Sequence, residues 1–167
     1  MAETSFAGSA RRTMVRLDPL TSAEFGPFFS GLLEGYAADH VRTGHWTQEE
    51  APERARDEVQ KLLPDGLGTP NHLFFSIRAE PSDEKVGVIW LAIEPRGAFV
   101  YDLLVFEPHR RKGYAESAMR EAERVSRERG AERITLHVFG DNEGARKLYQ
   151  KLGYTETNVL MSKPLSP

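Results

Sequence analysis

Cysteine is absent from this chain of 167 residues, which excludes disulfides, thiolate zinc sites and a cysteine nucleophile. No apolar run is long enough to span a membrane, and residues 1–12 lack the apolar core of a signal peptide, so we expect a cytoplasmic protein. The net charge of −3 lacks the basic excess that is typical of nucleic-acid binders. Internal repeats and low-complexity tracts are also absent from the sequence.

The composition, with 40% hydrophobic and 28% charged residues, is that of an ordinary globular protein. The length favours one domain, which we place at residues 13–167. Residues 1–12 are small and polar, and we expect them to be a disordered lead-in. Weak alternation at residues 13–17 predicts a first strand at the edge of a sheet.

Two helices are predicted next. Thr21 and Glu24 have the spacing of a capping box. The apolar residues that follow at helical spacing are Phe25, Phe28, Phe29, Leu32, Leu33 and Tyr36. After a polar loop at residues 37–46, the pattern predicts a second helix at residues 51–63.

Three consecutive strands are predicted at residues 72–79, 86–93 and 98–106. Their connections are so short that neighbouring strands must be antiparallel. A third helix should end at Gly130, and the strand at residues 134–139 should lie parallel to the strand before that helix.

A short helix between Asn142 and Gly153 and a last strand at residues 154–161 complete the prediction. The expected fold class is α/β, with a mixed α+β sheet that is mostly antiparallel and about four helices on its faces.

The strand at residues 98–106 leads into a basic turn and then a helix. Backbone N–H groups at a helix start lack partners within the helix and lie at the positive end of its dipole, so they attract an anion. Gly113 lets the backbone approach that anion closely, and Arg110, Arg111 and Lys112 add positive charge. The turn predicts a phosphate site, although taken alone it also fits a solvated basic corner.

This turn resembles the acyl-CoA pyrophosphate loop of the GNAT superfamily of N-acetyltransferases, whose pattern is Arg/Gln-x-x-Gly-x-Gly/Ala. The matching residues are Arg110, Arg111, Lys112, Gly113, Tyr114 and Ala115. The second family pattern, Asn-x-x-Ala-x-x-x-Tyr-x-x-x-Gly-Phe/Tyr, is matched by Asn142, Ala145, Tyr149, Gly153 and Tyr154. One helix and one strand separate the two motifs, as in the family. The resemblance implies a GNAT-like sheet in which the two parallel strands splay apart.

The resemblance implies acetyl-CoA as the acyl donor and no metal. Backbone groups of the splayed strand, at Leu103, Leu104 and Val105, would bind the pantetheine arm. The amides around Gly113 would hold the pyrophosphate.

The second motif implies two further roles. Asn142 would contact the pantetheine arm, although its position also fits a plain helix N-cap. Tyr149 would be the general acid that protonates the leaving thiolate, and a phenol is chemically competent for that step. The alternative for Tyr149 is a core aromatic that packs on its own helix.

A base that could deprotonate the attacking amine is not evident in the sequence. Alternation along the strand predicts one face that bears Phe99, Tyr101, Leu103 and Val105. Asp102 is expected on the opposite face. The candidates are Tyr101 acting through a water relay, Glu94, and His137, which could equally be a satisfied histidine in a half-buried strand.

The acceptor amine is expected to meet aromatic residues on two sides. The N-terminal cluster consists of Tyr36, His40, His45 and Trp46, which suit an amine by cation–π contact. Phe99 and Tyr101 would form the opposite wall. The cluster could instead simply pack the corner between the first two helices.

The sequence thus predicts an enzyme that transfers an acetyl group from acetyl-CoA to a primary amine by direct attack in a ternary complex. Its expected partner is a small-molecule or peptide amine, with neither nucleic acid nor membrane, and a homodimer is left open. The residues also leave open a non-catalytic acyl-CoA-binding or sensing module, a protein-interaction domain, and transfer of a longer acyl group.

Overall fold

A computed structural model of the protein describes residues 14–163 and 165. The lead-in expected at residues 1–12 lies outside the described residues. The elements are β1 (Val15–Pro19), α1 (Ser22–Arg42), α2 (Ala51–Leu62), β2 (His72–Ala79), β3 (Lys85–Glu94), β4 (Gly97–Val105), α3 (Tyr114–Glu128), β5 (Ile134–Leu136) and α4 (Glu143–Lys151). Short 3-10 helices lie at Gly66–Gly68 and Glu107–His109.

The five strands form one sheet in the order β1-β2-β3-β4-β5. The first four are antiparallel neighbours, whereas β5 pairs with β4 in parallel. This arrangement confirms the predicted mixed, mostly antiparallel sheet. The parallel ladder ends at Val100 and Leu136, although β4 itself continues to Val105.

Helices cover both faces of the sheet. On one face, Val59 and Leu63 join Phe74, Val88 and Trp90 in a buried core against which the aromatic and leucine side chains of α1 pack. On the other face, α3 packs on β1, β3 and β4. The α3 residues Ala118, Met119 and Ala122 are fully buried, as their helical spacing predicts.

The start of α1 is tied to the sheet by one carboxylate. Thr21 and Glu24 form the predicted capping box. The Glu24 side chain also accepts hydrogen bonds from Ser76 Oγ at 3.0 Å and from Lys85 Nζ at 2.8 Å. The Lys85 ammonium and the other donors lower the pKa of Glu24 to about 2, so this anchor is charged at every pH near neutrality.

Helix α1 is longer than predicted, and the predicted loop at residues 37–46 is wrong over its first part. The helix runs through Arg42, so His40 is a helical residue. Residues 37–42 contain neither glycine nor proline, and the chain leaves the helix just before Gly44, whose φ is +75°.

The predicted C-terminal strands are also corrected. β5 ends at Leu136, so His137 lies outside the strand in which it was expected, and its side chain is exposed. Residues 154–161 adopt no strand. Within the described residues no strand of the sheet pairs with this segment, and an extended chain outside a sheet gains no ladder hydrogen bonds to offset its ordering.

The described residues divide into two compact units, one within residues 14–136 and the other within residues 137–163 and 165. The first contains the sheet with α1, α2 and α3, and the second contains α4. In the part of the chain that the structure describes, no helix combines the length and the apolar character needed to cross a membrane.

Candidate active site

A β-bulge at Tyr101 determines which side chains of β4 share a face. Trp90 pairs with Asp102, and the next residue of β3, Leu91, pairs with Val100. Tyr101 is therefore the extra residue on β4. A bulge of this kind bends the strand and breaks the simple alternation of side chains. The parallel ladder with β5 stops just before it.

The bulge overturns the predicted assignment of faces. Cross-strand partners in an antiparallel pair point to the same side, so Asp102 shares the face of Trp90. Tyr101 lies on that face too, because its ring stacks on Trp90 with centroids 4.5 Å apart. Leu103, which pairs with Ile89, points to the opposite face together with Val105. Asp102, and not Leu103 or Val105, accompanies Tyr101 on the face covered by α1 and α2.

Asp102 is a carboxyl group with unusual proton affinity. Burial raises its pKa from 3.8 to about 6, against the opposing effect of the Leu103 amide, which donates a hydrogen bond to the carboxylate. The negative charge of Asp39, on α1, raises this pKa further. A carboxylate with a pKa near 6 can accept a proton at neutral pH. Sequence reasoning missed this residue because a bulge has no signature in the residues of β4.

Phe99 and Tyr101 form a continuous aromatic wall on this face. Their ring centroids are 4.7 Å apart, and Tyr101 in turn stacks on Trp90. Burial, with a contribution from Glu94, raises the pKa of Tyr101. Tyr101 is consequently a neutral phenol at neutral pH and offers almost no phenolate to accept a proton, unlike the Asp102 carboxylate.

The turn between β4 and α3 has the geometry of an anion cradle. Gly113 is the N-cap of α3 with φ of +84°, and no side chain caps the helix start. Arg111 also has a positive φ, +60°. Consecutive N–H groups in such a turn point to one side, which together with the open helix start makes a site for a phosphate group.

Two of the basic side chains brace this turn. Arg110 Nε donates to the Val105 carbonyl at 3.0 Å, and Lys112 Nζ donates to the Pro108 carbonyl at 2.9 Å. Both therefore hold the loop in shape while their charge stays close to the helix start. Arg111, Lys112 and Gly113 are exposed, whereas Tyr114 and Ala115 are half-buried in the first turn of α3.

The aromatic cluster predicted near the N-terminus does assemble. The His40 ring stacks on Trp46 with centroids 4.0 Å apart, and Tyr36 meets His40 edge-on at 4.5 Å. Tyr36 Oη donates to Glu58 at 2.7 Å, and burial together with Glu58 raises the pKa of Tyr36 to about 12. Trp46 is only 8% exposed and packs in a small core with Ala51 and Ala55. Its packing role is thus clear, whereas Tyr36 and His40 are half-buried and His45 is exposed.

Asn142 and Tyr149 lie in the second compact unit. The Asn142 side chain caps α4 by accepting a hydrogen bond from the Ala145 amide at 3.2 Å. Tyr149 is half-buried on α4, and its ring centroid lies 5.7 Å from that of Tyr154. The N-cap function of Asn142 that the sequence allowed is therefore present, and it leaves the side-chain amide N–H₂ available for other contacts.

Two parts of the candidate site lie within residues 14–136. The acceptor-side candidates Tyr101 and Asp102 lie on one face of β4, and the anion cradle at Gly113 follows that strand along the chain. Across residues 14–163 and 165, no three His, Asp or Glu side chains cluster as metal ligands would.

The chain is similar to known acetyltransferases. The model of the acetyltransferase (GNAT) family matches residues 38–154. The chain is 37% identical over 155 residues to the uncharacterized N-acetyltransferase YycN of Bacillus subtilis, covering 90% of this chain and 99% of that protein. It is also 37% identical over 153 residues to the uncharacterized N-acetyltransferase YdgE of the same organism, covering 89% and 97% of the two chains.

A crystal structure of YycN superposes with a TM-score of 0.87 at 36% identity, covering 92% of this chain and all of that one (100%). The chain therefore belongs to the GNAT family of acetyltransferases.

Proposed function

We propose that this acetyltransferase transfers the acetyl group of acetyl-CoA directly to a primary amine while both substrates are bound. The observation that carries the proposal is the uncapped start of α3 behind Gly113, at the end of a β4 strand whose pairing with β5 stops early. An anionic donor with a long, hydrogen-bonding arm fits both features. Its phosphates would accept hydrogen bonds from the N–H groups at the start of α3, and its arm would bond to the β4 backbone beyond the ladder with β5.

The donor would lie along the end of β4. The backbone of Leu103, Leu104 and Val105 continues past the parallel ladder and would bind the pantetheine arm. The amides from Arg111 to Ala115 would hold the pyrophosphate, and the Asn142 side chain would contact the arm.

The acceptor chemistry needs a base and an acid. We assign the base to Asp102, which would take a proton from the bound ammonium so that the free amine attacks the thioester carbonyl. As the C–S bond breaks, Tyr149 would donate its hydroxyl proton to the leaving thiolate. This assignment replaces the water relay through Tyr101, which becomes a wall residue together with Phe99. Tyr36, His40 and Trp46 would form the other side of the acceptor site.

The proposal is tested by measuring thiol release from acetyl-CoA across a panel of primary amines and amine-bearing peptides. We expect amine-dependent release and recovery of the N-acetyl product. Binding of acetyl-CoA without turnover of any amine would instead favour a non-catalytic acyl-CoA-binding module. Faster reaction with a longer acyl-CoA than with acetyl-CoA would contradict the choice of donor.

Replacing Tyr149 with phenylalanine tests the general acid. We expect kcat to fall at least tenfold, because the thiolate must then leave without a proton, while the KM for acetyl-CoA changes little. Tyr154→Phe removes the same hydroxyl from the neighbouring ring and should retain activity. Equal turnover by Tyr149→Phe and the wild type would rule out the assignment.

Replacing Gly113 with alanine tests the pyrophosphate site. An L-residue held at φ of +84° costs about 1–2 kcal/mol, and its Cβ would crowd the approach to the amides. We expect the KM for acetyl-CoA to rise about tenfold and the acceptor KM to stay unchanged, as measured by initial-rate kinetics. Gly68→Ala, where a Cβ meets nothing within 4 Å, is the control. An unchanged KM for acetyl-CoA in Gly113→Ala would argue against this site.

A further inference from the structure

A hydrogen bond between two side chains lies behind the aromatic wall of β4. The indole Nε1–H of Trp90 donates to Nδ1 of His72 over 2.9 Å. Trp90 is 2% exposed, and His72 is half-buried. Because an indole nitrogen can only donate, Nδ1 of His72 must offer a lone pair. The bond therefore specifies the neutral imidazole with its proton on Nε2.

This bonded pair supports the ring of Tyr101. Trp90 and Tyr101 are stacked with their planes 21° apart. The His72 ring centroid lies 5.6 Å from each of the other two. In a closely packed layer, a change in the orientation of the Trp90 indole must displace the ring stacked on it. His72 can therefore act on Tyr101 without binding any substrate itself.

We propose that His72 is a positioning residue for acceptor binding, which as a neutral hydrogen-bond acceptor holds the Trp90–Tyr101 stack in the orientation that receives the amine. The inference rests on the proposed function, since that function assigns this face of β4 to the acceptor. Protonation of His72 would place an N–H on Nδ1, so that two donors face each other. The buried indole N–H of Trp90 would then lack its acceptor, which is costly. Acceptor affinity should then fall.

The surroundings of His72 set the pH range of this effect. Tyr101 on β4 is the titratable group whose ring faces it, and Trp90 and Ala92 on β3 carry no charge. Thr69, whose carbonyl accepts from the His72 amide, is also uncharged. Burial lowers the pKa of His72 below its ordinary value of 6.5, so the imidazole is neutral at physiological pH and gains its proton only in more acidic solution.

The test compares the full-length wild type with His72→Gln and His72→Phe. Glutamine keeps an oxygen that can accept the indole N–H at any pH, whereas phenylalanine keeps only the ring. The chain has two tryptophans, so ¹⁵N-tryptophan labelling gives two indole N–H resonances, which Trp46→Phe assigns. The Trp90 resonance and the separate KM values for amine and acetyl-CoA are measured between pH 5 and pH 8.

In the wild type we expect the Trp90 resonance and the acceptor KM to titrate together with a midpoint below pH 6.5, the KM rising about tenfold in acid. His72→Gln should lose both titrations and keep the low KM. His72→Phe should show a KM for amine raised about tenfold at every pH, with the KM for acetyl-CoA unchanged.

An unchanged acceptor KM in His72→Phe would overturn the inference while leaving the proposed function intact, as would persistence of both titrations in His72→Gln. Absence of amine turnover by the wild type would instead overturn the proposed function, and the positioning role with it. A Trp90 resonance that responds to neither pH nor substitution would refute the hydrogen-bond basis directly.

Discussion

Replacing Asp102 with asparagine should give a protein that still binds acetyl-CoA but transfers its acetyl group on the order of 100- to 1000-fold more slowly. Asparagine occupies the same volume and cannot take a proton from the amine. The wild-type rate should rise with pH through about 6, where Asp102 ionises, and then reach a plateau. The residual rate of the variant should not show this rise with pH.

The same substitution should stabilise the fold at neutral pH. Because the pKa of Asp102 is higher in the fold than the ordinary 3.8, the folded state binds the proton more tightly. The carboxylate therefore costs stability progressively as pH rises from about 3.8 to about 6. Removing the charge should return roughly 1–2 kcal/mol at pH 7.5, as measured by urea denaturation. A slower but more stable variant separates a catalytic effect from misfolding.

Two aspartates provide controls for this experiment. Asp57→Asn makes the same change on an exposed position of α2 and should alter neither rate nor stability appreciably. Asp39→Asn removes a negative charge that raises the pKa of Asp102, so the limb of the rate profile should move to lower pH without a loss of kcat. Full activity in Asp102→Asn would eliminate Asp102 as the base.

Replacing Gly87 with alanine should lower the free energy of unfolding by about 2–3 kcal/mol. Gly87 pairs with Val105 at the end of β4. A Cβ at Gly87 would lie 2.2 Å from the Leu104 carbonyl oxygen and 3.1 Å from the Val105 Cα, so the backbone of β4 itself must move. Because that strand end leads into the anion cradle, the KM for acetyl-CoA should rise as well.

Gly35→Ala is the matched control for Gly87→Ala. Gly35 lies within α1, is exposed, and would have nothing within 4 Å of an added Cβ. The change should raise the free energy of unfolding by about 0.5–1 kcal/mol, because alanine loses less backbone freedom in a helix than glycine does. Thermal or urea unfolding measures the stability of both variants. A Gly87→Ala protein that is as stable as Gly35→Ala would contradict the steric argument.

Much of the fold could be predicted because its signals are local. The strand predicted at residues 72–79 is the observed β2, since an apolar run there is bounded by Pro70 and Pro81. Gly130, predicted to end α3, has φ of +86° just beyond the last helical residues. Gly153 likewise follows α4 with φ of +93°.

What could not be predicted depends on pairing between strands. A period of two along a regular β4 places Asp102 on the wrong face. The extra residue at Tyr101 is visible only in the register against Trp90 and Leu91. Between Gly97 and Val105 no glycine or proline marks the irregularity, so the residue types alone give no reason to break the period of two.

The charged side chain of Glu24 ties the first turn of α1 to the sheet through Ser76 and Lys85. Helix α1 contains no fully buried residue, packs on the core through half-buried aromatic and leucine side chains, and carries Gly26, Gly31 and Gly35. Opening of its distal half would uncover the core residues on which Leu32, Leu33 and Tyr36 pack, but it leaves the sheet paired and so costs less than global unfolding. The helix over the proposed acceptor side is thus held by half-buried side chains and one charged tether, whereas α3 is held on the opposite face of the sheet by the fully buried Met119.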